Sequence, residues 1–146
     1  MRFEGLTEPT TIFALLSVLF FVISLFADDE RWWISVGSTG VLVCYWAFNT
    51  ILWMLKIVED WSLPSDFLFG LGVLALAIKV RRGWLLVLVG LFAINLVLDV
   101  LHIVGTINYA TWAEAGNISF VCQLATASFP GLMSLTHMIL RRPRRA

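Results

Sequence analysis

Long apolar stretches dominate this sequence and limit most strongly what it can fold into. A bilayer core about 30 Å thick is crossed by a helix of about 20 mostly apolar residues. Four stretches meet or approach that length and a fifth is shorter; in chain order the five cover 9–27, 32–55, 64–80, 84–107 and 115–140. We therefore predict an all-α, polytopic integral membrane helical bundle with five transmembrane helices. The whole chain, 1–146, forms a single transmembrane domain in this prediction, with no soluble domain.

The shortest stretch, 64–80, decides the number of spans. As a helix it reaches only about 25 Å, so it crosses if Lys79 extends its ammonium group to the interface or if the bilayer thins locally. Pro64, Ser65 and Asp66 are typical of a helix start and are predicted to begin this helix. The alternative has four spans, with 64–80 re-entrant or interfacial. Because an interfacial helix has a polar face and Phe67 to Ile78 shows none, five spans are favoured.

Basic residues predict the orientation, because Lys and Arg collect on the cytoplasmic side of membrane proteins. With five spans and a cytoplasmic C-terminus, the inner side holds Arg31, Lys79, Arg81, Arg82, Arg141, Arg142, Arg144 and Arg145, against Arg2 and Lys56 outside. Acidic residues collect outside at Glu4, Glu8, Glu59, Asp60, Asp66 and Glu114. We expect a multi-pass protein of the plasma (cytoplasmic, inner) membrane, although the four-span alternative satisfies the same rule.

Tryptophan positions agree with these spans. Indole rings favour the headgroup level of a bilayer, and six of the seven tryptophans fall at or near predicted span ends: Trp32, Trp33, Trp53, Trp61, Trp84 and Trp112. These six are predicted to be interface aromatics. Trp46 alone is mid-span.

Polar side chains inside the spans predict a common seam. Such groups are costly in a bilayer and usually turn inward. Counting 1.5 Å per residue from the predicted outer ends places Asn49, Asp99 and Gln123 in one layer, with Asp99 about 12 Å deep. We predict a seam that serves as interhelical hydrogen bonds or as an ion or proton path, formed by Asn49, Asn95, Asp99, His102, Gln123 and Thr126.

Composition and motifs argue against several classes of function. Ten Lys and Arg balance ten Asp and Glu, so no basic surplus exists for nucleic acid. Asp99 and His102 share a helical face and are weak metal candidates, because a di-metal bundle needs further carboxylates and no other predicted span contains an internal Asp or Glu, Asp66 being placed at the outer start of its span. We expect no metal site, no cofactor and no catalytic residues.

The sequence therefore favours a small non-enzymatic membrane protein, an accessory or structural subunit of a larger membrane complex or a homo-oligomer. Its expected partners are the lipid bilayer, other membrane subunits or copies of itself, and not nucleic acid. The alternative is an ion or proton channel, pore-former or small transporter that uses the polar seam around Asp99. A membrane haem, quinone or metal protein is the third hypothesis.

Overall fold

The computed structural model describes residues 8–28 and 32–140, and within these ranges every regular element is an α-helix. The helices are α1 (Glu8–Ser24), α2 (Trp32–Met54), α3 (Val58–Val80), α4 (Gly83–Ile103), α5 (Tyr109–Ala127) and α6 (Phe129–Leu140). Predictions that fall on Glu4, Arg2, Arg31 and the C-terminal arginines lie outside the described residues. The prediction of an all-helical bundle is confirmed.

Four helical stretches are long and apolar enough to cross a membrane: Trp32–Met54, Val58–Val80, Gly83–Ile103 and Tyr109–Leu140. The last combines α5 and α6. The first helix is apolar only from Thr11 to Ser24, which is short of a full crossing. Four of the five predicted spans therefore correspond to helices long and apolar enough to cross a membrane. The exception is the first predicted span, 9–27, and not 64–80.

The third helix is longer than the sequence suggested. It begins at Val58, not at Pro64, and runs for 23 residues, so Pro64 lies inside it. Glu59 and Asp60 occupy its first turn, where carboxylates interact favourably with the positive end of the helix dipole. The prediction of Asp66 as an outer helix start is wrong, because the two preceding turns carry that residue into the bundle.

The chain breaks its last long helix at Ser128, two residues before Pro130. Proline lacks the N–H of a helical hydrogen bond, so a break frees carbonyl groups that need other donors. The hydroxyl of Ser35 on α2 donates to the carbonyl of Ala127 at 2.6 Å. A neighbouring helix therefore satisfies the break, as is common for proline in membrane helices.

Helices adjacent in sequence pack side by side, α3 against α4 and α4 against α5, and α2 contacts both α3 and α5. The first helix lies against α2, α5 and α6. A buried apolar cluster joins α2, α4 and α5 through Leu42, Tyr45, Leu88, Phe92, Phe120, Leu124 and Ala127. This cluster fixes the helices that carry the polar groups described next.

Candidate functional site

A polar cavity lies between the helices at the end where α2 joins α3 and α4 joins α5. Its volume is about 320 Å³, and residues from the first five helices line it. Trp53 and Tyr109 are exposed and mark its rim. Its polar lining comprises chiefly Asn49, Ser62, Asp66, Asn95, Asp99 and Asn117. The cavity therefore opens near this end of the bundle and places polar groups inside it.

Asp99 lies on α4 with only 3% of its surface exposed. It precedes the last residue of α4, Ile103, by four positions, about 6 Å along the axis. The indole N–H of Trp112 on α5 donates to Oδ1 of Asp99 at 2.8 Å. The other oxygen, Oδ2, is buried and has no hydrogen-bond partner among the described residues. The Ser62 side chain on α3 also interacts with this carboxylate. Oδ2 is thus enclosed by protein, without a hydrogen-bond donor at bonding distance among the described residues.

Asp66 lies on α3 and is 4% exposed. It follows Val58 by eight positions, about 12 Å along the helix. The hydroxyl of Tyr45 on α2 donates a hydrogen bond to Oδ1 of Asp66. The Tyr45 ring packs edge-on against Phe69 and Phe92, with centroid distances of 4.8 and 5.7 Å. These ring contacts hold the hydroxyl against the carboxylate.

Asn95 adds a further acceptor to the cavity. It lies one turn before Asp99 on α4 and is 6% exposed. Its Oδ1 atom is buried and lacks a partner among the described residues. The cavity therefore contains two carboxylates from adjacent helices, together with two unpartnered oxygen atoms, one on Asp99 and one on Asn95.

The charge of the lining is negative. Among the described residues that line the cavity there is no Lys, Arg or His. His102 lies beside the lining residue Trp112, whose ring it stacks on at a centroid distance of 4.7 Å. Its Nε2 atom is 3.7 Å from Oε2 of Glu59. His102 also interacts electrostatically with Asp99. An arrangement of buried carboxylates with no Lys or Arg in the lining suits a positively charged ligand and disfavours an anion.

Aromatic rings form much of the remaining wall, at Phe13, Trp46, Trp53, Tyr109 and Trp112. Trp46, the mid-span tryptophan, stacks on Phe120 with centroids 6.3 Å apart. The negative face of an aromatic ring attracts cations. A ring face that a ligand contacts in this cavity therefore favours the same sign of ligand charge as the carboxylates do.

The structure brings together only part of the predicted seam. Asn49, Asn95 and Asp99 line one cavity, whereas Gln123 and Thr126 do not. Gln123 follows Tyr109 by 14 positions, about 21 Å along α5, because α5 starts six residues earlier than predicted. The predicted layer of Asn49, Asp99 and Gln123 is therefore wrong.

Of the other predicted seam residues, Thr126 and Asn49 donate hydrogen bonds within their own helices, whereas Gln123 makes none among the described residues. Thr126 donates to the carbonyl of Cys122 at 2.7 Å, within its own helix. Asn49 donates to the carbonyl of Tyr45 at 3.0 Å. Gln123 is fully buried, and neither polar atom of its amide has a partner within the described part of the chain.

Two important residues were assigned to the wrong place by the sequence. The sequence predicts Pro64 as a helix start and Asp66 in an outer segment, whereas the structure places Asp66 inside α3. The expectation that no span other than that of Asp99 contains an internal carboxylate is therefore wrong. Trp112 was predicted at the headgroup level, but it is only 9% exposed and its N–H is bound by Asp99. Two sequence signals indicate the correct positions. Ser62 and Asp66 lie four residues apart and so share a helical face, and Asn108 is a favourable N-cap for an α5 that begins before Trp112. Its side chain accepts from the N–H of Thr111 at 2.8 Å.

The described residues contain no group of three or more His, Cys, Asp or Glu side chains placed to hold a metal ion. Asp99 and His102, the weak metal candidates, both contact Trp112: Asp99 accepts its indole N–H, and His102 stacks on its ring. Cys44 and Cys122 are both free thiols.

Comparison with known proteins adds no relative: no family model, no curated protein and no solved structure matches this chain. The function is therefore argued from the cavity itself.

Proposed function

We propose that this protein is a multi-pass membrane protein that binds a small monovalent cation in the cavity and carries it across the membrane electrogenically. One observation carries the proposal. Asp66 and Asp99, from adjacent helices, line a single cavity in which Oδ2 of Asp99 remains without a partner among the described residues. Ionisable groups inside a bilayer characteristically mark ion or substrate pathways.

Energetics favour this function over a purely structural subunit. Leaving a buried acceptor without a hydrogen bond costs about 1–3 kcal/mol, and more when the group is charged. A subunit that only packs against partners gains the hydrogen bond between Trp112 and Asp99, but it gains nothing from the unpartnered oxygens of Asp99 and Asn95. A ligand that donates to both atoms, or attracts them by charge, offsets the cost.

The polar groups continue beyond the cavity. Gln123 lies deeper along α5, fully buried and without hydrogen-bond partners in the described part of the protein. Ser35 and Thr39 are buried on α2, the helix that α5 contacts. The hydroxyls of Ser35 and Thr39 already donate to backbone carbonyl groups. Gln123 is therefore the side chain beyond the cavity that we propose a permeating cation contacts.

The charge pattern supports an orientation for the proposed carrier. Lys79, Arg81 and Arg82 lie at the end of the bundle opposite the cavity, and α6 ends at Leu140, immediately before the C-terminal arginines in the sequence. By the positive-inside rule this end is cytoplasmic. The cavity then faces the outside of the plasma membrane, beside Glu59, Asp60 and Glu114.

A liposome experiment tests the proposal. The full chain is reconstituted into vesicles that hold an inside-negative potassium diffusion potential, and a voltage-sensitive dye follows its collapse. The outer solution contains protons, sodium and organic ammonium ions. We expect the wild-type protein to collapse the potential faster than protein-free vesicles, and Asp99→Asn and Asp66→Asn to slow that collapse at least about tenfold, because each loses the charge that binds the cation.

Asp60→Asn is the matched control, since this carboxylate is exposed on the same helix as Asp66 and does not line the cavity. It should behave as wild type. Collapse at the protein-free rate with wild type, or at the wild-type rate with both cavity variants, would overturn the proposal. Gel filtration of each variant before reconstitution separates loss of transport from loss of the fold.

A further inference from the structure

The aromatic residues that line the cavity indicate which class of cation it binds. We propose that its ligand is a small alkylammonium ion that carries at least one N–H, rather than an inorganic cation. This inference rests on the proposed function, because it names the substrate of the same site. Three features of the cavity support it: its rings, its free acceptors and its size.

The rings supply the contact that distinguishes an organic cation. Trp46, Trp53 and Trp112 come from two helices and line the same space as the two carboxylates. Tryptophan is the best aromatic partner for an ammonium group, and quaternary and alkylated ammonium ligands are commonly held by such rings. A strongly hydrated inorganic ion gains less from these apolar faces than an ion that carries methyl groups.

The free acceptors require a donor. Oδ2 of Asp99 and Oδ1 of Asn95 are buried, unpartnered among the described residues, and belong to side chains that line the cavity and are more than nine-tenths buried. An ammonium N–H donates to such oxygens, and bonds to charged groups are the strong ones. A fully alkylated cation has no hydrogen to donate and leaves both oxygens unsatisfied.

The volume of the cavity also favours a small organic cation over a bare inorganic ion. About 320 Å³ is at the lower end of the range of small-molecule sites. Hard divalent cations instead take a close shell of about six to eight oxygen ligands. The described residues contain no group of three or more His, Cys, Asp or Glu side chains placed to hold a metal ion.

Calorimetric titration of the purified full chain in nanodiscs tests the inference with three probes. The first is tert-butylammonium, the second is tert-butyl alcohol, which has nearly the same shape without the charge, and the third is potassium. We expect tert-butylammonium to bind at least about tenfold more tightly than the alcohol, because its N–H groups donate to a charged acceptor. It should also bind more tightly than potassium.

Trp53→Leu tests the rings without disturbing the core, because Trp53 is 46% exposed at the rim. We expect it to weaken tert-butylammonium binding about 2-fold to 30-fold, the range of cation–π contributions, and Trp53→Phe to restore part of the affinity. Trp61→Leu is the control, since Trp61 is 52% exposed and lies outside the cavity lining.

The outcomes separate this inference from the proposed function. Equal binding of the alcohol and the ammonium ion, or unchanged binding in Trp53→Leu, would overturn the alkylammonium assignment. If inorganic cations alone collapse the vesicle potential in a manner that depends on Asp99, the assignment fails while the carrier function stands. If neither binding nor collapse depends on Asp66 or Asp99, both fail.

Discussion

Trp112 donates its indole N–H to Oδ1 of Asp99 at 2.8 Å while its ring stacks on His102 at a centroid distance of 4.7 Å. One tryptophan at the start of α5 thus contacts two residues that lie on one face near the end of α4. The contact fixes the orientation of the Asp99 carboxylate, whose second oxygen, Oδ2, has no hydrogen-bond partner among the described residues. Trp112 is therefore a positioning residue for the cavity.

Replacing Trp112 by Phe should reduce stability while keeping the ring against His102. The variant loses the N–H, so Oδ1 of Asp99 becomes a second unpartnered oxygen. We expect the free energy of unfolding in detergent to fall by about 1–3 kcal/mol, the usual cost of a buried unsatisfied acceptor. Trp61→Phe provides the control at an exposed tryptophan and should change stability little. Equal effects of the two substitutions would show that the hydrogen bond contributes nothing.

The Tyr45 hydroxyl can be removed without removing its ring. Tyr45→Phe keeps the edge-on contacts to Phe69 and Phe92 and deletes the donor to Asp66. We expect the fold to be kept, with the free energy of unfolding lowered by about 1–2 kcal/mol. Tyr109→Phe, at a partly exposed ring on the cavity rim, is the comparison and should have a smaller effect. Thermal unfolding of the three proteins in the same detergent measures the difference.

Hydropathy predicts where the helices of this fold lie, but not where each helix begins and ends. Length and apolarity locate helices that must satisfy their own backbone in lipid, and so α2, α4 and the bulk of α3, α5 and α6 were placed from composition alone. Helix ends depend instead on local capping. Asn108 starts α5 by accepting from Thr111, and the acidic first turn starts α3 ahead of Pro64. A count of apolar residues detects neither the Asn108 cap nor the acidic first turn of α3.

The candidate site was harder to predict because small errors at helix ends change the depth of every later residue. A six-residue error at the start of α5 moves Gln123 by about 9 Å along the axis, which removes it from the layer of Asp99. A six-residue error at the start of α3 likewise assigns Asp66 to a helix end instead of the helix interior. Asn49, Asn95 and Asp99, three members of the predicted seam, line one cavity in the structure, because polar residues within spans usually face the interior.

A close contact between α1 and α6 depends on Gly131. A Cβ atom added at this position would lie 2.0 Å from the carbonyl oxygen of Ile23, a backbone atom that cannot rotate away. We expect Gly131→Ala to separate the two helices and to lower the free energy of unfolding by about 1–3 kcal/mol, as overpacking does elsewhere. Gly90→Ala on α4 is the matched control. Nothing lies within 4 Å of its added Cβ, so it should stabilise the helix slightly. A Gly131→Ala variant as stable as Gly90→Ala would contradict the close approach.

The direction of α3 predicts which loops share a side of the membrane. Because α3 runs as a 23-residue helix between the loop at Ile57 and the turn before Gly83, these two positions should lie on opposite sides, whereas Ile57 and Thr106 should share one. In a background with Cys44→Ser and Cys122→Ser, single cysteines are introduced at each position. A membrane-impermeant maleimide applied to sealed cells should then label Ile57→Cys and Thr106→Cys, and label Gly83→Cys only after the cells are opened. The four-span alternative, in which 64–80 does not cross, requires Ile57→Cys and Gly83→Cys to react from the same side. That result would also remove the proposed carrier, because Asp66 would no longer lie on a helix that crosses beside Asp99.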